Sequence, residues 1–180
     1  DGTKARGIDN VSKKDYEKNL DSNIENLLTR LHSGSYVPQP KREILIPKAN
    51  GKMRPIAIAC LEDKIVEKVA AEILTSIYEP VFVNSSYGFR SKRSCHHAVN
   101  RSEEILTGRS TLDYVVEIDL ANFFNTVNHR ILMKLLAMKI SNKKFLSLIH
   151  RMLTGKIESN NGETVIPYVG TPQGGVVSPI

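Results

Sequence analysis

The sequence predicts an α+β domain in which amphipathic helices pack on small antiparallel sheets. Apolar residues recur at helical spacing in several separate stretches of the chain. Two Asn-Gly dipeptides, at 50–51 and 161–162, each lie between short strand-like runs, which is typical of β-hairpins.

The N-terminal part of the chain predicts one packing helix. Ser12 is followed three residues later by Asp15, an acidic variant of the capping box that begins helices. Apolar residues then recur at helical spacing from Tyr16 to Leu31, and Gly34 ends the pattern.

The stretch "REILIPKANGKMRPIAIAC" predicts a hairpin around Asn50-Gly51. A two-residue turn there pairs Lys48 with Met53 and places Lys48 and Arg54 on opposite faces of the ribbon. If both cations reach one ligand, the tip must be looser than this or the ligand must lie at its end.

The later elements follow in order along the chain. A wide apolar stripe predicts a helix that begins near Glu62 and stops at Pro80. A basic loop, "VNSSYGFRSKRSCHHAV", leads into a helix that ends near Gly108. The rest of the pattern predicts a buried strand at 114–120, helices at about 128–139 and 142–153, a second hairpin at Asn161-Gly162, and a Gly/Pro-rich loop, "GTPQGGVVSPI".

The composition favours a polyanionic partner. The 180 residues carry a net charge of +6 with a pI of about 9.3, which favours nucleic acid over other partners. No run approaches the roughly 18 apolar residues of a membrane span, and the opening "DGTKARGIDN" lacks the apolar centre of a signal peptide. Both ends read as internal, so we expect a piece of a longer protein.

Asp119 stands out within "YVVEIDLANFF" because it interrupts an apolar strand pattern. A buried carboxylate without a partner costs far more free energy than a strand recovers. Asp119 must therefore meet a hydrogen-bond donor, lie at an exposed strand end, or bind a cation.

Two basic clusters are candidates for phosphate contact. The first hairpin carries five cations against the single acid Glu43, and such a ribbon can close over phosphates. A solvated edge strand explains the same charges, because exposed edges often carry Lys. In "SYGFRSKRS", cations alternate with Tyr87 and Phe89, which suits single-stranded nucleic acid, although two core aromatics beside a basic helix start fit as well.

Other reactive residues do not form a readable site. Adjacent Cys95, His96 and His97 point apart on a helix, and no second pair has zinc-ligand spacing. His129 suits a helix start, because no nucleophile is paired with it in the sequence.

The stretch "VVEIDLANFFNTVNHRIL" resembles the first palm motif of reverse transcriptases, and it fits the bacterial and organellar group II intron type best. Three other stretches, "IPKANGKMRPIAI", "SYGFRSKRSCHHA" and "GTPQGGVVSPI", agree with that family in order and spacing. The opening "GIDNVS" also matches its N-terminal extension, so the resemblance spans nearly the whole chain.

The resemblance implies a right-hand polymerase fold, with this chain as its fingers and partial palm. Residues 1–94 would form fingers with the N-terminal extension and basic hairpin, and 95–127 the palm with the first metal-ligand motif. Residues 128–167 would add finger helices and a hairpin, and 168–180 a truncated part of the palm.

The resemblance also implies an RNA-directed DNA polymerase that uses two Mg²⁺ ions in the full-length enzyme. Its partners would be an RNA template, a DNA primer, a dNTP and the intron RNA that a splicing maturase binds. Asp119 would be the catalytic metal ligand, with the main-chain carbonyl of Leu120 as the second ligand. Lys48 and Arg54 would hold the triphosphate.

Further roles are implied by position in the motifs. The nucleotide site would include Ala121, Asn122 and Phe123 as its floor, Phe124 as the gate against a ribose 2′-hydroxyl, and Gln173 as the contact to the nascent base pair. Nucleic-acid contacts would come from Lys41, Arg42, Lys52, Arg90, Lys92, Arg93, Gly174 and Gly175.

The chain departs from the family pattern in two places. The aromatic-x-Asp-Asp metal motif is absent from these 180 residues, so we expect no polymerisation by this chain alone, although the parent should be active. "FRSKRS" stands where the family often has Pro-Gly at the middle pair. Two alternatives remain: a non-catalytic RNA-binding or splicing module, and a retron or defence-type reverse transcriptase. A cytoplasmic bacterial or organellar location is expected in each case.

Overall fold

The computed structural model describes residues 6–47, 51–108, 114–159, 161–172 and 174–178. Two of the candidate site residues, Lys48 and Gln173, lie outside these ranges, and their predicted roles stay predictions. None of the helices within the described ranges is long and apolar enough to cross a membrane.

The N-terminal helical pattern forms two helices rather than the one predicted. Helix α1 spans Lys13–Glu17 and α2 spans Leu20–Ser33. The predicted capping box is confirmed, because the side chains of Ser12 and Asp15 each accept from the other's backbone N–H. The break is stabilised by the Asn23 side chain, which donates to the carbonyl of Tyr16 at 2.9 Å and so satisfies one carbonyl at the end of α1. Gly34 ends α2 in the left-handed conformation.

The basic hairpin is formed by β1, Lys41–Pro47, and β2, Met53–Ile58. The observed register pairs Pro47 with Met53 and Ile46 with Arg54. A two-residue turn at 50–51 would have placed Pro47 opposite Arg54, so the predicted register is wrong by one residue. Five residues separate the two strands, so the connection is longer than a two-residue turn.

The second hairpin joins the first in one sheet. Strands β3, Ile157–Glu158, and β4, Thr164–Val165, pair antiparallel around the predicted turn. Strand β3 also pairs parallel with β1, which gives the order β2-β1-β3-β4. The prediction of antiparallel sheets is thus corrected to one mixed sheet. A parallel pair needs a long crossover, which no local turn signal reveals.

Helix α3, Leu61–Tyr78, lies at the centre of the described structure, and a 3-10 turn at Glu79–Val81 follows it, as the stop at Pro80 predicts. Its buried face is apolar except for two carboxylates, with the members Asp63, Val66, Glu67, Ala70, Ala71 and Leu74. Buried carboxylates require partners.

Asp63 is satisfied by the segment that follows α2. The Tyr36 hydroxyl donates to its Oδ1, and the backbone N–H of Gln39 donates to Oδ2 at 3.0 Å. Burial raises the pKa of Asp63, because a low-dielectric site disfavours its charged form, and burial also raises the pKa of Tyr36.

Helices α6, His129–Ala137, and α7, Lys143–Leu153, complete the core, within a residue or two of their predicted limits. Asn128 and Asn142 cap them through their side-chain oxygens. Arg151 ties α7 to the end of α2 by donating to the carbonyls of Gly34 and Tyr36 at 2.9 and 2.6 Å. The buried cluster contains Leu27, Tyr36, Val66, Ala70, Leu74, Leu136, Ile140, Ile149, Met152 and Leu153.

Residues 95–120 lie outside this core. Helix α4, Cys95–Gly108, ends where predicted but has no buried residue. The segment 114–120 is not a strand, and Val116 and Ile118 are 80% and 83% exposed, so the predicted buried strand is wrong. This segment does not form a strand because the described residues offer it no neighbouring strand to satisfy its backbone groups.

Candidate functional site

Asp119 lies on an exposed segment together with Glu117 and Leu120. Its side chain has no hydrogen bond or ion pair with the part of the chain that the structure describes. The Asp119 carboxylate is therefore accessible to water, so the free-energy cost of burying it, which the predicted strand implied, does not arise. Of the three possibilities for Asp119, a strand end is ruled out because 114–120 is not a strand, and the exposed carboxylate stays open to a cation.

The donor set at Asp119 fits a divalent cation in type but not in number. A carboxylate and a main-chain carbonyl are hard oxygen ligands of the kind that Mg²⁺ prefers. Among the described residues, no group of three or more His, Cys, Asp or Glu could hold a metal ion. Asp119 and Leu120 could thus supply only part of a coordination shell.

The turn after Asp119 is shaped by Asn122. Its φ of +54° reverses the chain direction into the short helix α5, Phe123–Thr126. The rings of Phe123 and Phe124 meet edge to face with centroids 5.8 Å apart. This segment, residues 121–126, is called the gate turn below, and it carries the predicted floor and gate residues together.

The start of the "GTPQGG" loop is hydrogen-bonded to the gate turn and the residues after it. The backbone N–H of Thr171 donates to the carbonyl of Phe124 at 2.6 Å, and that of Gly170 donates to the carbonyl of Val127 at 2.8 Å. His129, at the start of α6 as predicted, is buried with its Nε2 2.6 Å from the Gly170 carbonyl oxygen. The start of the loop, which spans residues 169–178, is therefore attached to the gate turn and to the residues that follow it.

The end of this loop packs on β2 and α3 instead. A Cβ on Gly174 would lie 2.6 Å from Cγ2 of Ile56, so the loop backbone approaches β2 more closely than a side chain allows. The backbone N–H of Val176 donates at 2.8 Å to Oε2 of Glu67 on α3. Gly174 is exposed and Gly175 is buried, so of the two only Gly174 presents a surface that nucleic acid could reach.

One cavity collects parts of three sequence motifs. A cavity of about 220 Å³ is lined by Pro55 and Ala57 of β2, by Asn125 of the gate turn, and by 169–172 of the loop. These stretches are far apart in the chain, so only the folded structure brings them together.

The cations of the first hairpin have different environments. Arg54 and Lys52 are exposed, as phosphate contacts require. Arg42 is half-buried, and its Nε has no hydrogen-bond partner within the described ranges. Lys41 is only 2% exposed, and its Nζ lies 2.7 Å from Oε1 of Glu67. The prediction that Lys41 contacts nucleic acid is corrected, because a buried, ion-paired ammonium cannot reach a phosphate.

Arg90 in "SYGFRSKRS" is a structural residue. Its side chain is 6% exposed and pairs with Glu79, and it also donates to the carbonyls of Val83 and Ser86 at 2.8 and 2.9 Å. The hydrogen bond from Arg90 holds the pKa of Glu79 below its usual range. The predicted nucleic-acid contact of Arg90 is corrected for the same reason as that of Lys41.

The other two cations of this loop, Arg93 and Lys92, differ in their contacts and exposure. Arg93 donates to the carbonyl and side chain of Asn84 and lies over the Tyr87 ring, with its guanidinium carbon 5.3 Å from the ring centroid. Lys92 is exposed. Lys92 is therefore the cation in this loop that is placed to meet an anion.

Sequence reasoning missed two features. In the sequence Glu67 looks like an ordinary helix residue, and only its 3% exposure shows that it is a buried carboxylate. A groove of about 810 Å³ is lined by Arg130 and Lys134 of α6, by His150 and by Tyr168, which is 83% exposed, and its lining contains no carboxylate. The signal for the groove was present, since "HRILMKLLA" spaces its cations four residues apart without an acid between them.

Comparisons with known proteins point to one family. A family model described as reverse transcriptase (RNA-dependent DNA polymerase) matches residues 46–180. Protein YkfC of Escherichia coli is 38% identical over 99% of this chain and 47% of its own length. The group II intron-encoded protein LtrA of Lactococcus lactis is 39% identical over 87% of this chain and 26% of its own length. The chain thus spans about half or less of these curated relatives.

A solved structure shares the fold. A chain of a partial Cas6-RT-Cas1–Cas2 complex aligns with a TM-score of 0.59 and 25% identity, covering 91% of this chain and 28% of the other. The α+β architecture of polymerase fingers and palm is therefore confirmed. The chain belongs to the reverse transcriptase family, as the resemblance to group II intron proteins predicts.

Proposed function

We propose that this chain forms the fingers and N-terminal palm of an RNA-directed DNA polymerase of the group II intron type. One observation carries the proposal: the basic hairpin, the gate turn and the "GTPQGG" loop meet around a single cavity. A nucleotide site that draws on all three motifs would account for their meeting. The cavity itself is lined by chain neighbours of the proposed contact residues, and by Glu43, rather than by those residues.

Asp119 would act as the first metal ligand. Reverse transcriptases generally use divalent metal ions, which lower the barrier to phosphoryl transfer by neutralising the charge on the reacting oxygens. Asp119 suits this role because its carboxylate is solvated and unpaired within the described residues, so no internal partner competes with a cation. Since one carboxylate cannot hold two ions, the chain alone should not polymerise.

The gate turn would select the sugar of the incoming nucleotide. Phe124 is partly buried and contacts Phe123, and its carbonyl accepts the hydrogen bond from Thr171. These contacts limit the movement of the ring, as steric exclusion of a 2′-hydroxyl requires. Ala121 and Asn122 would form the floor beside it. Lys48 and Arg54 would hold the triphosphate, and Gln173 would contact the nascent base pair.

The nucleic-acid partners would be an RNA template, a DNA primer and the intron RNA of a splicing maturase. The exposed cations Lys52, Lys92, Arg130 and Lys134 support this proposal. The groove beside Arg130 and Lys134 adds Tyr168, on which a base can stack. The parent would act inside a bacterial cell or an organelle.

Primer extension by the full-length parent tests the proposal. We expect Mg²⁺-dependent DNA synthesis on an RNA template, and we expect Asp119→Ala to abolish it. Glu117→Ala is the matched control, because Glu117 is an exposed carboxylate two residues away that should bind no metal. Synthesis that survives in Asp119→Ala would show that the active site lies elsewhere.

The same experiment tests the non-catalytic alternative, and sequence identity bears on the defence-type alternative. If the parent binds RNA but neither it nor the Glu117→Ala variant makes DNA, the chain belongs to a non-catalytic RNA-binding or splicing module. The intron type is favoured over a defence type, because identity is 39% to LtrA and 25% to the chain of the Cas6-RT-Cas1–Cas2 complex.

A further inference from the structure

A buried ion pair joins the fingers to the "GTPQGG" loop. The side chains of Lys41 and Glu67 are each 3% exposed, and their charged atoms lie 2.7 Å apart. Burial of two charges costs several kcal/mol for each ion, and a pair of apolar residues often gives equal stability. Stability alone therefore does not explain why charges occupy this position.

The two oxygens of Glu67 are divided between two partners. Oε1 accepts from Lys41, and Oε2 accepts from the backbone N–H of Val176, 109 residues away in the chain. Lys41 is itself fixed at the start of β1, where its backbone N–H donates to the carbonyl of Lys156 at 2.8 Å. The ion pair thus sets the direction in which the carboxylate presents its second oxygen.

The loop is held at both ends. Gly170 and Thr171 are hydrogen-bonded to the gate turn and the residue after it, and Val176 is hydrogen-bonded to Glu67. Residue 173 lies in the chain between these two anchors. The far end of strand β1 leads to the hairpin tip, so Lys41 also connects the loop to the arm proposed to hold the triphosphate.

We infer that Glu67, oriented by Lys41, is a positioning residue that holds the "GTPQGG" loop in place for contact with the nascent base pair. This inference rests on the proposed function, because the loop matters for nucleotide binding only if the parent is a polymerase. Neither residue touches substrate. Their effect would pass through the hydrogen bond to Val176.

Two double variants of the full-length parent test the inference. Lys41→Met/Glu67→Met removes both charges and also the acceptor for the Val176 N–H. Lys41→Met/Glu67→Gln removes both charges but keeps a side-chain oxygen that can accept that hydrogen bond. Both leave a neutral, filled interior, so a difference between them reports the hydrogen bond rather than the charge.

We expect the Met/Met variant to raise KM for dNTP about ten-fold with kcat changed less than about three-fold, since a loosened loop weakens nucleotide binding first. The Met/Gln variant should raise KM by clearly less than the Met/Met variant, because its side-chain oxygen can still accept from Val176 although Lys41 no longer orients it. Equal KM values for the two folded variants would overturn the inference.

Hydrogen exchange supplies a second readout that needs neither activity nor a variant. The Val176 amide of the unmodified parent should exchange at least about ten-fold more slowly than an unbonded exposed amide. Rapid exchange at Val176 would overturn the inference. If the parent makes no DNA, the proposed function fails, while the exchange measurement still decides whether Glu67 anchors the loop.

Discussion

Gly170 should be intolerant of any side chain, and the reason is its contact with the gate turn. Its φ is +84°, and a Cβ there would lie 2.9 Å from the carbonyl oxygen of Phe124 and 3.0 Å from Cα of Asn125. These are backbone atoms, which cannot rotate away as a flexible side chain can. In a Gly170→Ala variant, the loop and the gate turn must therefore separate.

The size of the effect follows from two contributions. A residue with a Cβ in the left-handed region costs about 1–2 kcal/mol. Separation also breaks the hydrogen bonds from Gly170 to Val127 and from Thr171 to Phe124, at about 1 kcal/mol each. Gly170→Ala should thus lower the free energy of unfolding by about 3–4 kcal/mol.

Gly162 is a matched control for this variant. Its φ is +79°, nearly that of Gly170, but a Cβ added there would have no atom within 4 Å. Gly162→Ala should therefore show only the backbone cost of about 1–2 kcal/mol. Urea unfolding followed by circular dichroism measures the stability of both variants, and primer extension with dNTP and rNTP, by the full-length parent carrying each substitution, measures gating. We expect weakened discrimination in Gly170→Ala alone. Equal unfolding free energies and equal nucleotide preference would refute the reasoning.

Three further outcomes are expected. Phe124→Ala should lower the preference for dNTP over rNTP at least about ten-fold in kcat/KM, and an unchanged preference would remove Phe124 from the gate. The pKa of Asp63 is raised, so Asp63 binds more protons in the folded state than in the unfolded state. The free energy of unfolding should therefore fall as pH rises from the usual carboxyl range toward the raised pKa. Asp63→Asn should flatten this dependence of stability on pH in unfolding measurements made across that range. Arg90→Lys should leave at least one of two loop carbonyls without a donor, which should lower the free energy of unfolding by about 1–2 kcal/mol in thermal unfolding. Lys92→Ala should leave stability unchanged and should reduce the salt slope of RNA binding by about one.

Local signals predicted most elements of the fold. Ser12 and Asp15 form the capping box, Gly34 ends α2, and helix α3 stops before Pro80, because each feature depends on atoms within a few residues. The hairpin at 161–162 forms for the same reason. Local signals failed where one helix became two, since an Asn23 side chain and buried Tyr16 decide that break.

Charge on its own was a poor guide to contact with nucleic acid. Lys41, Arg90 and Lys92 all carry a positive charge, yet Lys41 and Arg90 are buried and held by carboxylates, whereas Lys92 is exposed. The partners Glu67 and Glu79 lie 26 and 11 residues away in the chain, and no sequence spacing marks them. Exposure, rather than residue type, separates structural cations from candidate phosphate contacts.

The sequence by itself determined the family, the limits of most helices, the turn at 161–162, and the identity of the motifs that resemble a polymerase site, because these depend on residue types in a fixed order. Only the tertiary structure decided the register of the hairpin, the parallel pairing of β1 with β3, the exposure of 114–120, and the link from Glu67 to Val176. Each of these depends on which distant backbone or side-chain groups satisfy one another, and that choice is made by the packed chain as a whole.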